Sequence, residues 1–316
     1  MNDPLVSVII PTKDRFQLVK AAIQNVRQQS YSNLEIIVID DGSNIDLQKY
    51  VEAFNENDIL YYSNHEYKGL ASSRNLGTFL AKGRYVAFMD DDDRWLKHKI
   101  KLQISLATKS LNNNIMIYCG GDGHANNSTT PDDYLSNKGI MSDYIFKGLT
   151  LASSSMLIER DALLAIGGHS EEMISCVDHD LWFKMAKFNF IMDYVPKRLV
   201  FSNKIHNSMT GRLKERLGGI QQFFDKWHDY VTSNYGQNSW QNIEEIYHNQ
   251  IVNTAYSQFK LRIISFPQAM NYLKQIYDLQ GITLSLLDKL LFRFGKLHLT
   301  PATNKKKNIY KSLLHL

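Results

Sequence analysis

The sequence predicts an α/β protein, a mostly parallel sheet flanked by helices and followed by a helical C-terminal region. Three observations predict it. Continuous apolar runs at 5–10, 34–39 and 85–89 read as strands buried on both faces, and each is stopped by proline or aspartate. Between them, apolar residues recur at helical spacing, so strand, helix and strand alternate as in a right-handed βαβ unit. After about Arg212 only helical periodicity remains.

The first strand, 5–10, ends at Pro11, and Phe16, Val19, Ile23 and Val26 then mark a helix through about Gln29. The second strand, 34–39, runs into Asp40-Asp41-Gly42-Ser43. Both strand ends therefore share one edge, where α/β sheets bind ligands. A helix at about 46–54 and a short strand at 59–62 follow. Lys68 to Gly77 opens the next helix; its small residues admit a close backbone or ligand, and its N-terminus with Arg74 suits a phosphate. After Gly83 the strand at 85–89 delivers Asp90-Asp91-Asp92-Asp93 to the same edge. Further expectations are a helix from Trp95 to about Leu111, a strand at 115–118 and a polar surface loop from Gly120 to Asp143. A strand at 153–158, a short helix at 161–166, a helix at 178–186 with Leu181, Met185 and Phe188 inward, and strands at 190–195 and 198–201 complete the sheet region. The C-terminal helices fall at about 214–232, 239–262, 266–279 and 283–295.

With 316 residues the chain is expected to hold a main domain, 1–210, a helical subdomain, 211–300, and a basic tail, 301–316. Its net charge of +4 is small and argues against a dedicated nucleic-acid binder. Only Cys119 and Cys176 occur, which fits a reducing cytosol and no disulfide framework. The first residues lack the pattern of a signal peptide, and no apolar run is long enough to span a bilayer, so a cytoplasmic location is expected.

Four consecutive carboxylates where a buried strand ends repel one another, unless a metal ion, a ligand hydroxyl or a base role offsets the cost. The plain alternative is an acidic turn in which Asp93 caps a helix beginning near Trp95.

In order and spacing, Val6-Ser7-Val8-Ile9-Ile10-Pro11-Thr12, Glu35 to Ser43, Gly69 to Gly77 with Arg74-Asn75, Phe88 to Trp95, and Asp178-His179-Asp180-Leu181-Trp182 resemble the family 2 glycosyltransferases. The resemblance covers residues 4–208. It implies a GT-A fold, a nucleotide-sugar donor and inversion at the anomeric carbon, in members that build bacterial surface polysaccharide. Carried onto this chain, it implies that Thr12 lies at the donor edge, that Asp41 hydrogen-bonds the nucleobase, usually uracil, and that Arg74 sits near the nucleotide. Asp90 and Asp92 match the ends of a D-x-D motif, with Asp91 near the ribose and Asp92 at the metal. Asp178 aligns with the catalytic base, and His206 with a histidine that completes the metal or diphosphate site.

The chemistry agrees with these roles. A departing nucleoside diphosphate gathers negative charge that a divalent cation can neutralise. Hard oxygen ligands suit Mg²⁺ or Mn²⁺, and an imidazole tilts the choice toward Mn²⁺. The acceptor hydroxyl loses a proton as it attacks, so a carboxylate must face it. The structural alternatives are an N-cap role for Asp178, a solvated loop for His206 and a plain helix-surface place for Arg74. Many relatives carry a glutamate before the base, where this chain has Val177, so Glu171 and Glu172 stand as alternative bases.

The expected partners are a UDP-sugar and a saccharide acceptor of the undecaprenyl-diphosphate-linked kind. The C-terminal region, apolar from Leu284 to Phe294 and basic at Lys305-Lys306-Lys307, reads either as a docking helix with a solvated tail or as a contact for the inner membrane surface. Two rival functions are a catalytically silent nucleotide-sugar binding protein and a metal-dependent phosphohydrolase.

Overall fold

Every residue of β1 (Val6–Thr12) is buried, because this strand lies inside the sheet with helices on both faces. The computed structural model describes residues 3–52, 59–121, 137–202 and 212–281, together with 283 and 292. Within them α1 (Phe16–Arg27), β2 (Leu34–Asp40), α2 (Gln48–Glu52), β3 (Ile59–Ser63), α3 (Leu70–Leu80) and β4 (Tyr85–Phe88) follow β1. Next come β5 (Asp93–Trp95), α4 (Lys99–Ala107), β6 (Ile115–Gly121), β7 (Gly139–Ile140) and α5 (Ser142–Ile145). A 3₁₀ turn at Ser153–Ser155 leads to β8 (Leu157–Glu159), α6 (Arg160–Ala165), α7 (Val177–Lys187) and β9 (Ile191–Ser202).

The sheet order is β3-β2-β1-β4-β8-β6-β9-β5, with β7 beside β9. The block β3-β2-β1-β4 is parallel; beyond it β8 runs antiparallel to both β4 and β6, and the sheet becomes mixed. On one face, Val19, Ile23 and Val26 of α1 and Ile100 and Ile104 of α4 pack into a single core with Val6, Val8, Ile10, Val38 and Ala87. Each valine or isoleucine among them contributes about 1.5–3 kcal/mol on full burial. On the other face α3 lies so close to β1 that a Cβ at Gly77 would come within 2.4 Å of Ile9 Cγ2.

The structure departs from the sequence reading at several places: β1 continues through Pro11 to Thr12, and β7 and the start of α5 fall within the loop expected at 120–143. Trp95 does not start a helix: β5 pairs antiparallel with β9, and Asn25 exchanges hydrogen bonds with the Trp95 backbone N–H and carbonyl at 2.7 and 3.0 Å. Tertiary pairing overrides the helical pattern there, α4 begins at Lys99, and Asp93 is a strand residue rather than a cap. Residues 153–155 are a 3₁₀ turn, so β8 starts only at Leu157. The two strands expected at 190–201 are one, β9, whose irregular register against β6 at Cys119, Gly120 and Gly121 accommodates Pro196. Phe188 follows α7 and is half exposed instead of inward.

The chain divides into two compact units. The first comprises Met1–Ile145, Leu149–Glu172 and Val177–Ile205; the second comprises Phe146–Gly148, Met173–Cys176 and His206–Leu316. In the second, α8 (Leu213–Tyr235), α9 (Gln237–Lys260) and α10 (Phe266–Leu279) enclose aromatic packing, with Phe223 against Tyr247 at 5.2 Å and Phe224 edge-on to Trp240 at 5.0 Å. A capping box between Ser265 and Gln268 starts α10. His206, most of the helix expected at 283–295 and the Lys305–307 tail lie outside the described residues.

Candidate active site

Strand order reverses between β1 and β4, so their carboxyl ends, with that of β2, form the crevice where α/β sheets take ligands. Thr12, Asp40, Asp41 and the aspartate run arrive there on consecutive strand ends. The segments in between fix their side chains.

Asp41 is buried and clasps the loop before α3. It accepts from the backbone N–H of Lys68 and Gly69 at 2.8 and 2.9 Å and from Asn64 Nδ2 at 3.3 Å. Asp40 shapes its own turn through Ser43 and receives the Tyr61 hydroxyl at 2.7 Å. Gly42 between them has φ of 72°, and a side chain there would press on the Glu66–Tyr67 backbone at 2.7 Å.

Thr12 Oγ1 donates to Asp91 Oδ2 at 2.7 Å, while Arg15 donates to Asp91 Oδ1 at 2.9 Å and stands 3.7 Å from Asp92. Asp91 is therefore enclosed by protein partners, whereas the Asp90 and Asp92 side chains keep 36% and 18% exposure. Burial, opposed by Thr12 and Arg15, still lifts Asp91 to about 6. Burial and then Asp90 push Asp93 up to about 6 and raise Asp92 as well.

Arg74 is fully buried beneath this edge. Its Nη1 donates to Asp178 Oδ1 at 2.5 Å and its Nη2 to Asp90 Oδ1 at 2.7 Å, while its guanidinium carbon lies 5.6 Å from the centre of the Phe88 ring. One cation thus joins the first turn of α7 to the end of β4. Ser153 also donates to Asp178 Oδ1, so both fixed partners hold the same oxygen; Oδ2 has no hydrogen-bond partner among the described residues and the side chain is 32% exposed. Burial favours the protonated acid, but the Arg74 guanidinium, helped by the Ser153 hydroxyl, outweighs it and holds Asp178 below the usual carboxylate range. Asp178 lies inside α7 rather than at its N-cap.

Two neighbours, Arg15 and His169, are not singled out by the sequence, whereas the hydroxyls of residues 153–155 are expected on the ligand side. Arg15 had only its place after Asp14 to mark it. Ser154 accepts the Asp90 backbone N–H at 3.0 Å. His169, after Gly167-Gly168, is buried edge-on to Phe88 at 5.1 Å, and burial followed by the nearby Arg74 keeps its imidazole neutral, with a pKa down to about 3. Asn75 holds this loop to α3, bonding the His169 backbone N–H and carbonyl at 2.8 and 2.9 Å and reaching Glu171 at 2.8 Å.

The donor set suits a hard divalent cation. Asp90 and Asp92 bring carboxylate oxygens to a partly open edge, and burial followed by the Asp90 charge raises Asp92, a cost that a bound cation would offset. Among the described residues no three His, Cys, Asp or Glu side chains are arranged to hold a metal by themselves. Two carboxylates completed by phosphate oxygens and water are the usual surroundings of Mg²⁺ and its relatives.

Solved structures share this architecture. Mannosyltransferase PcManGT from Pyrobaculum calidifontis, in complex with GDP-Man and Mn²⁺, superposes with a TM-score of 0.59 at 17% identity, covering 93% of this chain and 80% of that one. TarS 1-349 of S. aureus, in complex with UDP-GlcNAc, gives 0.59 at 16% identity over 93% of this chain and 88% of that one. At these identities the likeness concerns architecture, and the architecture is GT-A. The Escherichia coli UDP-Glc:alpha-D-GlcNAc-diphosphoundecaprenol beta-1,3-glucosyltransferase WfgD is 30% identical over 191 residues, 60% of this chain and 73% of that protein. The profile described as Glycosyl transferase family 2 matches residues 7–164, half the sequence, and with the crevice and its carboxylates in place the chain belongs to glycosyl transferase family 2.

Proposed function

We propose that this chain is a metal-dependent, inverting hexosyltransferase that moves a sugar from a UDP-sugar to a hydroxyl of a saccharide carried on undecaprenyl diphosphate, in bacterial surface-polysaccharide synthesis. The observation that carries the reading is the Arg74 bridge, which ties Asp178 to Asp90 through one buried guanidinium. A base and a donor-site carboxylate held in one network are what a single displacement between two substrates requires. The name of WfgD supports the donor and the lipid-linked acceptor, and the Mn²⁺ in the PcManGT complex supports the metal.

On this reading Asp178 is the base. Its Oδ1 is held by Arg74 and Ser153, and its Oδ2 takes the acceptor proton as the oxygen attacks the anomeric carbon and the bond to UDP breaks. Asp41 uses three of about four carboxylate acceptor positions on its own loop, which leaves one for a uracil N–H. Thr12 and Arg15 fix Asp91 beside the nucleotide, and Arg74 acts from beneath. Asp90 and Asp92 would hold Mn²⁺ or Mg²⁺, with His206 as a further ligand; when bound, the cation supplies charge neutralisation for the departing diphosphate. The workplace is the cytoplasmic face of the inner membrane, with the apolar and basic C-terminal segment as one contact.

The test is a panel of UDP- and GDP-sugars with GlcNAc- and GalNAc-diphosphate-lipid analogues, in Mn²⁺ and then in EDTA, reading nucleotide release. Acceptor-dependent release of UDP that stops in EDTA is expected. Release without acceptor that survives Asp178→Asn would instead identify a phosphohydrolase, and donor binding with no turnover a silent binding protein.

A further inference from the structure

The stretches 15–34, 94–120 and 194–202 contain ten lysines and arginines and not one aspartate or glutamate. They correspond to α1, the segment from β5 through α4 into β6, and the end of β9. α1 and α4 pack together into the same core, so these two helices lie on one face of the sheet. Between these elements lies a cleft of about 600 Å³ whose lining includes Arg27, Arg94, Leu96 and Lys97 and no carboxylate. Asn25 and Gln29 build it by bonding the backbone of Trp95, Leu96 and Ile100.

The C-terminal dipole of α1 accounts for a cation at Arg27, in its last turn. It does not account for Arg94 and Lys97, which come from another element, are exposed, and have no ion-pair partner among the described residues. Lys101 and Lys109 extend the exposed positive charge along and just beyond α4. The exposed large apolar residues of these stretches are Leu96 and Leu111, both aliphatic. Aliphatic side chains among cations match a bilayer surface, whereas single-stranded nucleic acid calls for exposed aromatic rings. We infer that the α1–α4 face, centred on the Arg27–Arg94–Lys97 cleft, docks the first unit on the anionic headgroups of a membrane, independently of the C-terminal segment and of the transferase reading. Arg94 follows Asp92 by two residues, so docking here brings the sheet edge and the lipid surface close together.

The experiment is flotation of the full chain with phosphatidylcholine vesicles, with and without phosphatidylglycerol, across a salt series. The wild type should prefer the anionic vesicles and lose them with salt. Arg94→Glu combined with Lys97→Glu should lower partition by about tenfold or more, from the electrostatic contribution of each cation at a lipid surface. Reversal of Lys82 and Lys187, outside these stretches, should leave it unchanged. If the first pair does not fold, Lys101→Glu with Lys109→Glu carries the same test. Equal partition of the reversed and wild-type chains, or no preference for phosphatidylglycerol, overturns the inference. So does binding of pyrophosphate or RNA that needs Arg94 and Lys97 while vesicles are ignored, which would make the cleft a site for soluble phosphate or nucleic acid.

Discussion

Asp178 sits under opposing influences, burial toward the protonated acid and Arg74 toward the carboxylate, and the second wins. Its depressed pKa contributes stability that is full above the unfolded value of 3.8 and is lost as pH falls through the folded value, so nothing is lost near neutrality. Asp178→Asn should lower kcat by about 10²–10⁴-fold, with donor affinity kept, measured by UDP release and calorimetry. Arg74→Gln removes the charge that depresses Asp178 and should move the acid limb of kcat/KM upward by about 1–3 pH units. It should also cost roughly 1–3 kcal/mol in chemical denaturation, less than a fully buried broken pair, because Asp178 and Asp90 keep about a third of their exposure. The residue types of this network were legible as motifs. Its wiring was not: the sequence suggests Arg74 for a phosphate and the Ser153 hydroxyl for the ligand side without showing that both bond Asp178, and His169 carries no pattern of its own. The three backbone and side-chain donors on Asp41 also mean that replacing it would release the α3 loop along with any contact to the base.

At the level of elements, α3 carries Arg74 and Asn75, so its seat on β1 sets their positions. Gly77→Ala places a methyl 2.4 Å from Ile9 Cγ2, and overpacking of this kind costs about 1–3 kcal/mol, more than the roughly 1 kcal/mol a helix gains from replacing glycine. A lower denaturation midpoint, with a loss of kcat larger than expected for a surface alanine, is the expected outcome. Ser265→Ala should cost about 1 kcal/mol through the capping box of α10 and leave kcat unchanged, as read from the same two measurements. Buried parallel strands announced themselves as apolar runs because both of their faces are covered. The segment from Asp93 to Trp95 could not, since what makes it extended is Asn25, seventy residues before Trp95, together with β9, a hundred residues later.

The molecule as a whole has two cores, one built on the sheet and one on α8, α9 and α10, and two-core chains depart from all-or-none unfolding. Trp95 and Trp182 report on the first unit, Trp227 and Trp240 on the second. With Trp227→Phe and Trp240→Phe, denaturation followed by tryptophan fluorescence should separate from that followed by far-UV circular dichroism; coincident curves would mean one cooperative unit. The change from strand to helix patterning near 210 was visible in sequence, but two short stretches of the second unit lie far upstream, where only contacts reveal them. Phe146 packs against Tyr230 and Tyr235 at 5.6 and 4.5 Å, and a Cβ at Gly219 would meet the Ser175 side chain at 2.4 Å. On the ribosome, Phe146 and Ser175 therefore emerge long before the helices that cover them, and a gene cut at 205 would leave Phe146 without the two rings it packs on. Exchanging C-terminal halves between relatives consequently takes three pieces of gene, with 146–148 and 173–176 travelling alongside the helices.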